Sequence, residues 1–163
     1  DLLALNLSSW AWEDLTNKTR GRRPPARRDH GFAVAGSRIF VFGGYTNPTM
    51  GGEGVLGDLH VLDLSIMTWQ QFTTANVSGA WPCPRGKMVF QYDGASRIYL
   101  FGGGSCRDFF MLDILSEPMA WIDLSSTEHL PTTPRNSALF TWAGGCLFII
   151  GGDAAGPRFF EDV

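Results

Sequence analysis

The chain has 163 residues, of which 44% are hydrophobic and 18% charged, with a formal net charge of −3. That length is one domain's worth of chain, and the apolar content excludes an intrinsically disordered segment. A weakly negative charge gives no global argument for nucleic acid or an anionic surface, and no apolar run approaches the roughly 20 residues that span a bilayer.

In chain order, residues 1–17 read as the last two strands of a β-module, with Asn6 between leucines and then Trp12. Residues 18–28 form a basic connection holding Lys18, Arg20, Arg22, Arg23, Arg27 and Arg28 and no acid. Gly31–Ala35 and residues 38–42 are β-prone runs around a Gly36-Ser37 turn, and the second run stops at Gly43-Gly44. A glycine-rich loop, residues 45–57, leads to strands at 59–64 and 69–73. The same order returns around an Asp93-Gly94 turn, with an apolar run ending at Gly102-Gly103, then Asp113 and Trp121. It returns again around Gly144-Gly145, ending at Gly151-Gly152. No long stretch shows a helical period.

These landmarks keep step. The first glycine of each pair recurs at intervals of 59 and 49 residues. Trp12, Trp69 and Trp121 are spaced by 57 and 52, and Arg27, Arg85 and Arg135 by 58 and 50. Proline and arginine, apolar run, turn, apolar run, Gly-Gly, loop, apolar run ending in Asp or Asn, then Trp: this order resembles the kelch repeat, whose period is about 50 residues. The resemblance covers essentially the whole chain and is weaker in the third repeat, where Ala138 and Ile150 depart from the pattern of the first. It implies an all-β propeller segment of four-stranded antiparallel blades. The expected division is a blade end at 1–17, repeats at 18–75 and 76–127, and a partial repeat at 128–163, all in one domain. Propellers close with about four to eight blades, so the remainder of a longer propeller chain is an expected partner. An isolated copy is expected to aggregate.

Binding is assigned from topology. With the strands of a module called a, b, c and d, successive turns alternate between the two ends of an up-and-down sheet. The b–c loop and the d–a connection therefore share one face, and loops on a rigid scaffold concentrate binding. Residues 45–57 carry most of the extra length of the longer repeat, with Tyr45, Met50 and Leu56 able to pack against a partner. Arg22, Arg23 and Arg28 suit carboxylates or phosphates. Trp81, outside the tryptophan register, and Arg107, in a b–c loop, complete the expected partner-binding set; Arg158 is a further candidate. No stacking aromatics are interleaved with the arginines, so nothing favours nucleic acid. Arg27, Arg85 and Arg135 hold one register, which points first to an architectural role with backbone carbonyls or a carboxylate. The alternative is an acidic-peptide pocket, since residues near this position can line the channel mouth in the resembled family. Gly43, Gly44, Gly102, Gly103, Gly151 and Gly152 end strands and permit close backbone approach, while Trp12, Trp69 and Trp121 pack.

No catalytic signature is present. His30, His60 and His129 share neither a repeat slot nor a ligand spacing, with His30 expected to be packed and hydrogen-bonded within strand a. No nucleophile elbow or phosphate loop occurs. The expectation is a non-catalytic protein-interaction scaffold within a larger complex, with no metal and no cofactor; the alternative is part of a propeller oxidase, epimerase or metal-dependent specifier enzyme. Cys83, Cys106 and Cys146 are odd in number and scattered, which favours reduced thiols and a cytoplasmic residence. Against this, Asn6, Asn17 and Asn76 each open an N-x-S/T triplet, as in a secreted glycoprotein. Asn6, however, occupies the turn slot that Asp63 and Asp113 fill elsewhere.

Overall fold

The computed structural model describes residues 1–47, 54–126, 133 and 135–154. Among them the chain is all-β, as the apolar runs and glycine-bearing turns imply, with one short 3₁₀ turn at Thr16–Lys18. Strands β1 (Leu3–Asn6) and β2 (Ala11–Asp14) pair antiparallel. Strands β3 (Arg20–Gly21), β4 (Gly31–Ala35), β5 (Arg38–Tyr45), β6 (Val55–Asp63) and β7 (Thr68–Phe72) make one sheet, in the order β3-β7-β6-β5-β4. A second sheet repeats it: β8 (Ser78–Gly79), β9 (Val89–Tyr92), β10 (Arg97–Phe101), β11 (Phe109–Asp113) and β12 (Ala120–Asp123), in the order β8-β12-β11-β10-β9. Strands β13 (Leu139–Ala143) and β14 (Cys146–Ile150) form a final hairpin.

Two features depart from the sequence expectation. Gly43-Gly44 does not end its strand: β5 runs on to Tyr45 across a bulge between Phe42 and Gly44, and β6 starts at Val55 to pair with that extension. Both glycines sit at positive φ, which lets the strand bend without breaking. Each full sheet also carries a fifth strand of two residues. Arg20–Gly21 runs parallel to Thr68–Trp69, and Ser78–Gly79 parallel to Ala120–Trp121. A Cβ on Gly21 would lie 2.1 Å from the carbonyl oxygen of Trp69, so only glycine fits there.

The core lies between sheets. Alternation along β5 divides its residues between two faces. Phe40 and Phe42 pack with Phe90, Leu100, Phe110 and Trp121 of the following module. Ile39 and Val41 join Leu62 and Trp69 and meet Leu2 of the preceding one. A strand buried on both faces must be apolar throughout, and burying each large side chain contributes about 1.5–3 kcal/mol. At the ends the alternation reverses. Leu3 and Trp12 on the first hairpin, and Leu139, Phe148 and Ile150 on the last, are exposed. Trp12 thus departs from the packed state expected of it, because its outward face has no cover among the described residues; Trp69 and Trp121 are buried.

Adjacent modules are also joined through backbone. Gly44 N–H donates to Arg85 O at 2.8 Å, and Gly103 N–H to Arg135 O at 3.0 Å. Strands β4, β9 and β13 run beside one another, so the a strands converge. Within modules, Asn6, Asp63 and Asp113 accept from the backbone amides of the turn that follows, as expected of a short polar side chain there.

Candidate functional site

The basic connection starts at the outer edge of its sheet as β3 and ends at the innermost strand, β4. Pro24 and Pro25 fix part of its path, and Arg23 Nη2 ties the segment to itself by donating to Thr19 O at 2.7 Å. Arg28 and Tyr45 exchange backbone hydrogen bonds, and the Arg28 guanidinium lies 5.4 Å from the Tyr45 ring centroid while donating to Asp29 at 2.8 Å. The loop after Tyr45 is therefore held to the connection at its outset. Its return is held to the next module: Arg85 N–H donates to Leu56 O at 2.9 Å, and Trp81 Nε1 to Gly57 O at 2.8 Å.

Between these segments lies a cleft of about 450 Å³. Arg22, Arg23 and Pro25 line it from the connection, and Val55–Gly57 from the start of β6, with Pro84 of the next module. The d–a and b–c segments thus meet at one site. Arg22 and Arg23 are exposed there. Asp58 also reaches the cleft, but its charge is spent elsewhere.

Below the cleft sits a clamp that recurs. Arg27 donates from Nη1 to Gly43 O at 2.9 Å, from Nε to Pro25 O at 3.2 Å, and bidentately to the Asp58 carboxylate at 2.7 and 2.9 Å. Arg85 repeats this with Gly102 O, Cys83 O and both oxygens of Asp108. Arg135 Nη1 donates to Gly151 O at 3.0 Å. Each arginine binds the carbonyl of the first glycine of its own pair, and the carbonyls of Arg85 and Arg135 are bound by the preceding pair. The side chains of Arg27 and Arg85 are 4% and 1% exposed, so they are inaccessible to a partner in this arrangement.

The third component of the clamp differs between modules. In the first it is His60, 1% exposed, with Nε2 2.9 Å from Asp58 Oδ2 and Nδ1 3.1 Å from Arg22 O. Both neighbours are acceptors, each within hydrogen-bond reach of one ring nitrogen. Burial works against ionisation of Asp58, but hydrogen bonds from His60 and Arg27, with their charges, outweigh it and hold the carboxyl well below the usual carboxylate range. In the second module a sulfur takes the place: Arg85 Nη2 donates to Cys83 Sγ at 3.0 Å, and Cys106 Sγ lies 3.1 Å from Cys83 Sγ.

Of the residues expected to bind, Arg22 and Arg23 share the cleft, and Arg28 and Tyr45 share a second hollow beside it. Trp81 is half-buried, edge-on to Trp121 at 6.4 Å, and joins modules more than it projects. Arg107 is exposed on the β10–β11 loop. Met50, Arg158 and His129 lie outside the described residues. His30 falls just before β4, exposed, with its Cβ over Gly44, so it is not the packed histidine of strand a expected from the sequence. Asp58, Asp108 and the Cys83–Cys106 pair were not anticipated. A signal for the acids existed: each lies five residues before the turn acid, Asp63 or Asp113.

Sheets of four antiparallel strands with a short parallel fifth, converging inner strands and a recurring arginine–glycine clamp define a β-propeller built from kelch repeats. A family model described as the KLHDC2/KLHL20/DRC7 kelch-repeats domain matches residues 1–152, and the chain belongs to the kelch-repeat family. It is 28% identical to human Kelch domain-containing protein 3, over 99% of this chain and 43% of that protein. It is 31% identical to Acyl-CoA-binding domain-containing protein 4 of Arabidopsis thaliana, over 83% of this chain and 19% of that protein. It is 30% identical to rat Host cell factor 1, over the whole of this chain and 8% of that protein. The chain therefore spans less than half the length of these relatives. Among the described residues no helix is long and apolar enough to cross a membrane.

Proposed function

We propose that the chain is a non-catalytic protein-interaction module that receives an acidic segment of a partner protein on the face formed by residues 18–28 and 45–57. The observation that carries this is the cleft itself: Arg22 and Arg23 are exposed on its wall, while the acid beside them is already neutralised by Arg27. A partner carboxylate there meets unspent guanidinium charge beside apolar contacts from Val55, Leu56 and Pro25. Arg28, Tyr45 and Arg107 extend the surface, and Met50 is assigned to it from sequence. The polar groups nearest the cleft, Asp58 and His60, are engaged in the clamp, which supports a scaffold over an enzyme. The exposed apolar faces of the two terminal hairpins suit further blades of the same propeller. The free thiols Cys83, Cys106 and Cys146 suit an intracellular residence.

The test is binding of Asp/Glu-rich peptide pools to the full-length protein, against neutral pools of matched hydropathy. The acidic pools should bind more tightly, with an affinity that falls as salt rises. Combined Arg22→Glu, Arg23→Glu and Arg28→Glu should weaken that binding by at least about tenfold, equivalent to roughly 1.4 kcal/mol, with thermal unfolding unchanged. Equal binding of both pools would overturn the reading.

A further inference from the structure

Cys83 lies in the connection between β8 and β9, and Cys106 in the loop between β10 and β11. They are 23 residues apart in sequence, yet their sulfurs are 3.1 Å apart. A disulfide bond is about 2.05 Å long, so roughly 1 Å of approach separates the two thiols from bonding. Asp108 brings a carboxylate oxygen to the same spot, and the three ligand atoms lie within 4.8 Å of one another, as a metal site would require. Arg85 argues against a metal. Its guanidinium takes both Asp108 oxygens and reaches Cys83 Sγ at 3.0 Å. A dication there would face a buried, fixed cation and compete for lone pairs already in use.

We propose that Cys83 and Cys106 form an oxidisable dithiol, which closes to a disulfide by exchange with a small disulfide such as oxidised glutathione and ties the β10–β11 loop to the β8–β9 connection. The two sulfurs are not equivalent. Cys83 is exposed and meets the oxidant first, whereas Cys106 is half-buried. Burial, and then the hydrogen bond with Cys83, push the Cys106 thiol up to about 11. Cys83, as thiolate, attacks one sulfur of the glutathione disulfide, forming a mixed disulfide and releasing one glutathione thiolate. That step removes the Cys83 charge and hydrogen bond from beside Cys106. Cys106 then loses its proton and attacks the Cys83 sulfur, and the second glutathione leaves. Two electrons pass to glutathione disulfide, and the two protein thiol protons end on two glutathione thiols. The bond would immobilise Arg107, which stands between Cys106 and the clamp acid Asp108; only that link to binding rests on the function proposed above.

The experiment uses the reduced full-length protein, equilibrated in glutathione buffers of rising oxidised fraction, then alkylated and mapped by mass spectrometry without reduction. The expected product is a cross-linked peptide pair containing Cys83 and Cys106, lighter by about 2 Da for the two hydrogens lost, with Cys146 still alkylated. Amides of residues 103–108 should exchange more slowly in the oxidised protein. Cys106→Ser should instead stop at a glutathione adduct on Cys83. Separate alkylation of both cysteines at every ratio, stable glutathione adducts on both, or pairing with Cys146 would overturn the proposal. So would stoichiometric zinc in the reduced protein that protects both thiols from alkylation. A cross-link without slower exchange would overturn the tie between the two segments, and it leaves the binding cleft a separate question, decided by the peptide pools.

Discussion

The two complete modules hold the same clamp in different company. Arg27 and Arg85 each bind their own first glycine carbonyl, the carbonyl two residues upstream, and an aspartate five residues before the turn acid. Beyond that they diverge. Asp58 is backed by buried His60, whereas position 110 of the second module is Phe and the clamp opens onto two thiols. The shared part joins each glycine pair to its own arginine and to the backbone of the next module, so the repeat constrains it. The divergent part touches only segments of its own module, so each module is free to change it. Architecture therefore resides in what the modules share, and individual chemistry in what they do not.

The sharpest attack on the shared part is at the glycines. A Cβ on Gly43 would lie 2.4 Å from Arg85 O, and one on Gly102 2.4 Å from Arg135 O, both at positive φ. Gly43→Val or Gly102→Val should cost more than about 4 kcal/mol and yield insoluble or unfolded protein. Gly36 has a similar φ of +59 but open space around its Cβ position. Gly36→Ala should therefore cost only about 1–2 kcal/mol, and denaturant melts of the two classes separate the inter-module clash from backbone strain. Equal losses would place the effect in φ alone.

The next largest effect distinguishes the two clamps. Removing one partner of a buried pair typically costs about 3–5 kcal/mol, because the other charge is left unpaired. Arg85→Met strands Asp108, while Arg27→Met leaves Asp58 with His60 at 2.9 Å. Arg85→Met should be the more damaging by at least about 1 kcal/mol in urea unfolding. The reverse order would mean that His60 contributes nothing to its carboxylate.

Much of the shared architecture was legible from the chain. The a–b hairpins follow from apolar alternation and short turns, both local signals; Gly31–Ala35 is a strand in sequence and structure alike. The arginine register pointed to backbone carbonyls. The partner acids were not read, because Asp58 follows the first glycine by 15 residues and Asp108 by 6, and the unequal loops hide their equivalence. The end of β5 was misplaced because a glycine pair signals both a stop and a bulge, and only the partner strand decides between them. Cys83 and Cys106 meet through a fold-back of two loops, which no periodicity encodes. Trp81 lies off the tryptophan register, yet its packing against Trp121 depends on how modules stack.

The smallest expected effect is also the most specific. Asp58 is held below its ordinary value near 3.9, so its ionised form stabilises the fold. That contribution is complete above the unfolded value and drains away as pH falls through the depressed folded one. Asp58→Asn lacks it at every pH. The melting-temperature gap between the native protein and Asp58→Asn should therefore be constant from neutral pH down to about 5 and narrow below about 4. In a His60→Phe background, which copies position 110, one of the hydrogen bonds that depress Asp58 is gone. The gap should then be smaller at neutral pH, begin to close at the same pH, and finish closing at a higher one. An identical profile with and without His60 would show that Arg27 alone holds the carboxylate, and would remove the main electrostatic difference between the two modules.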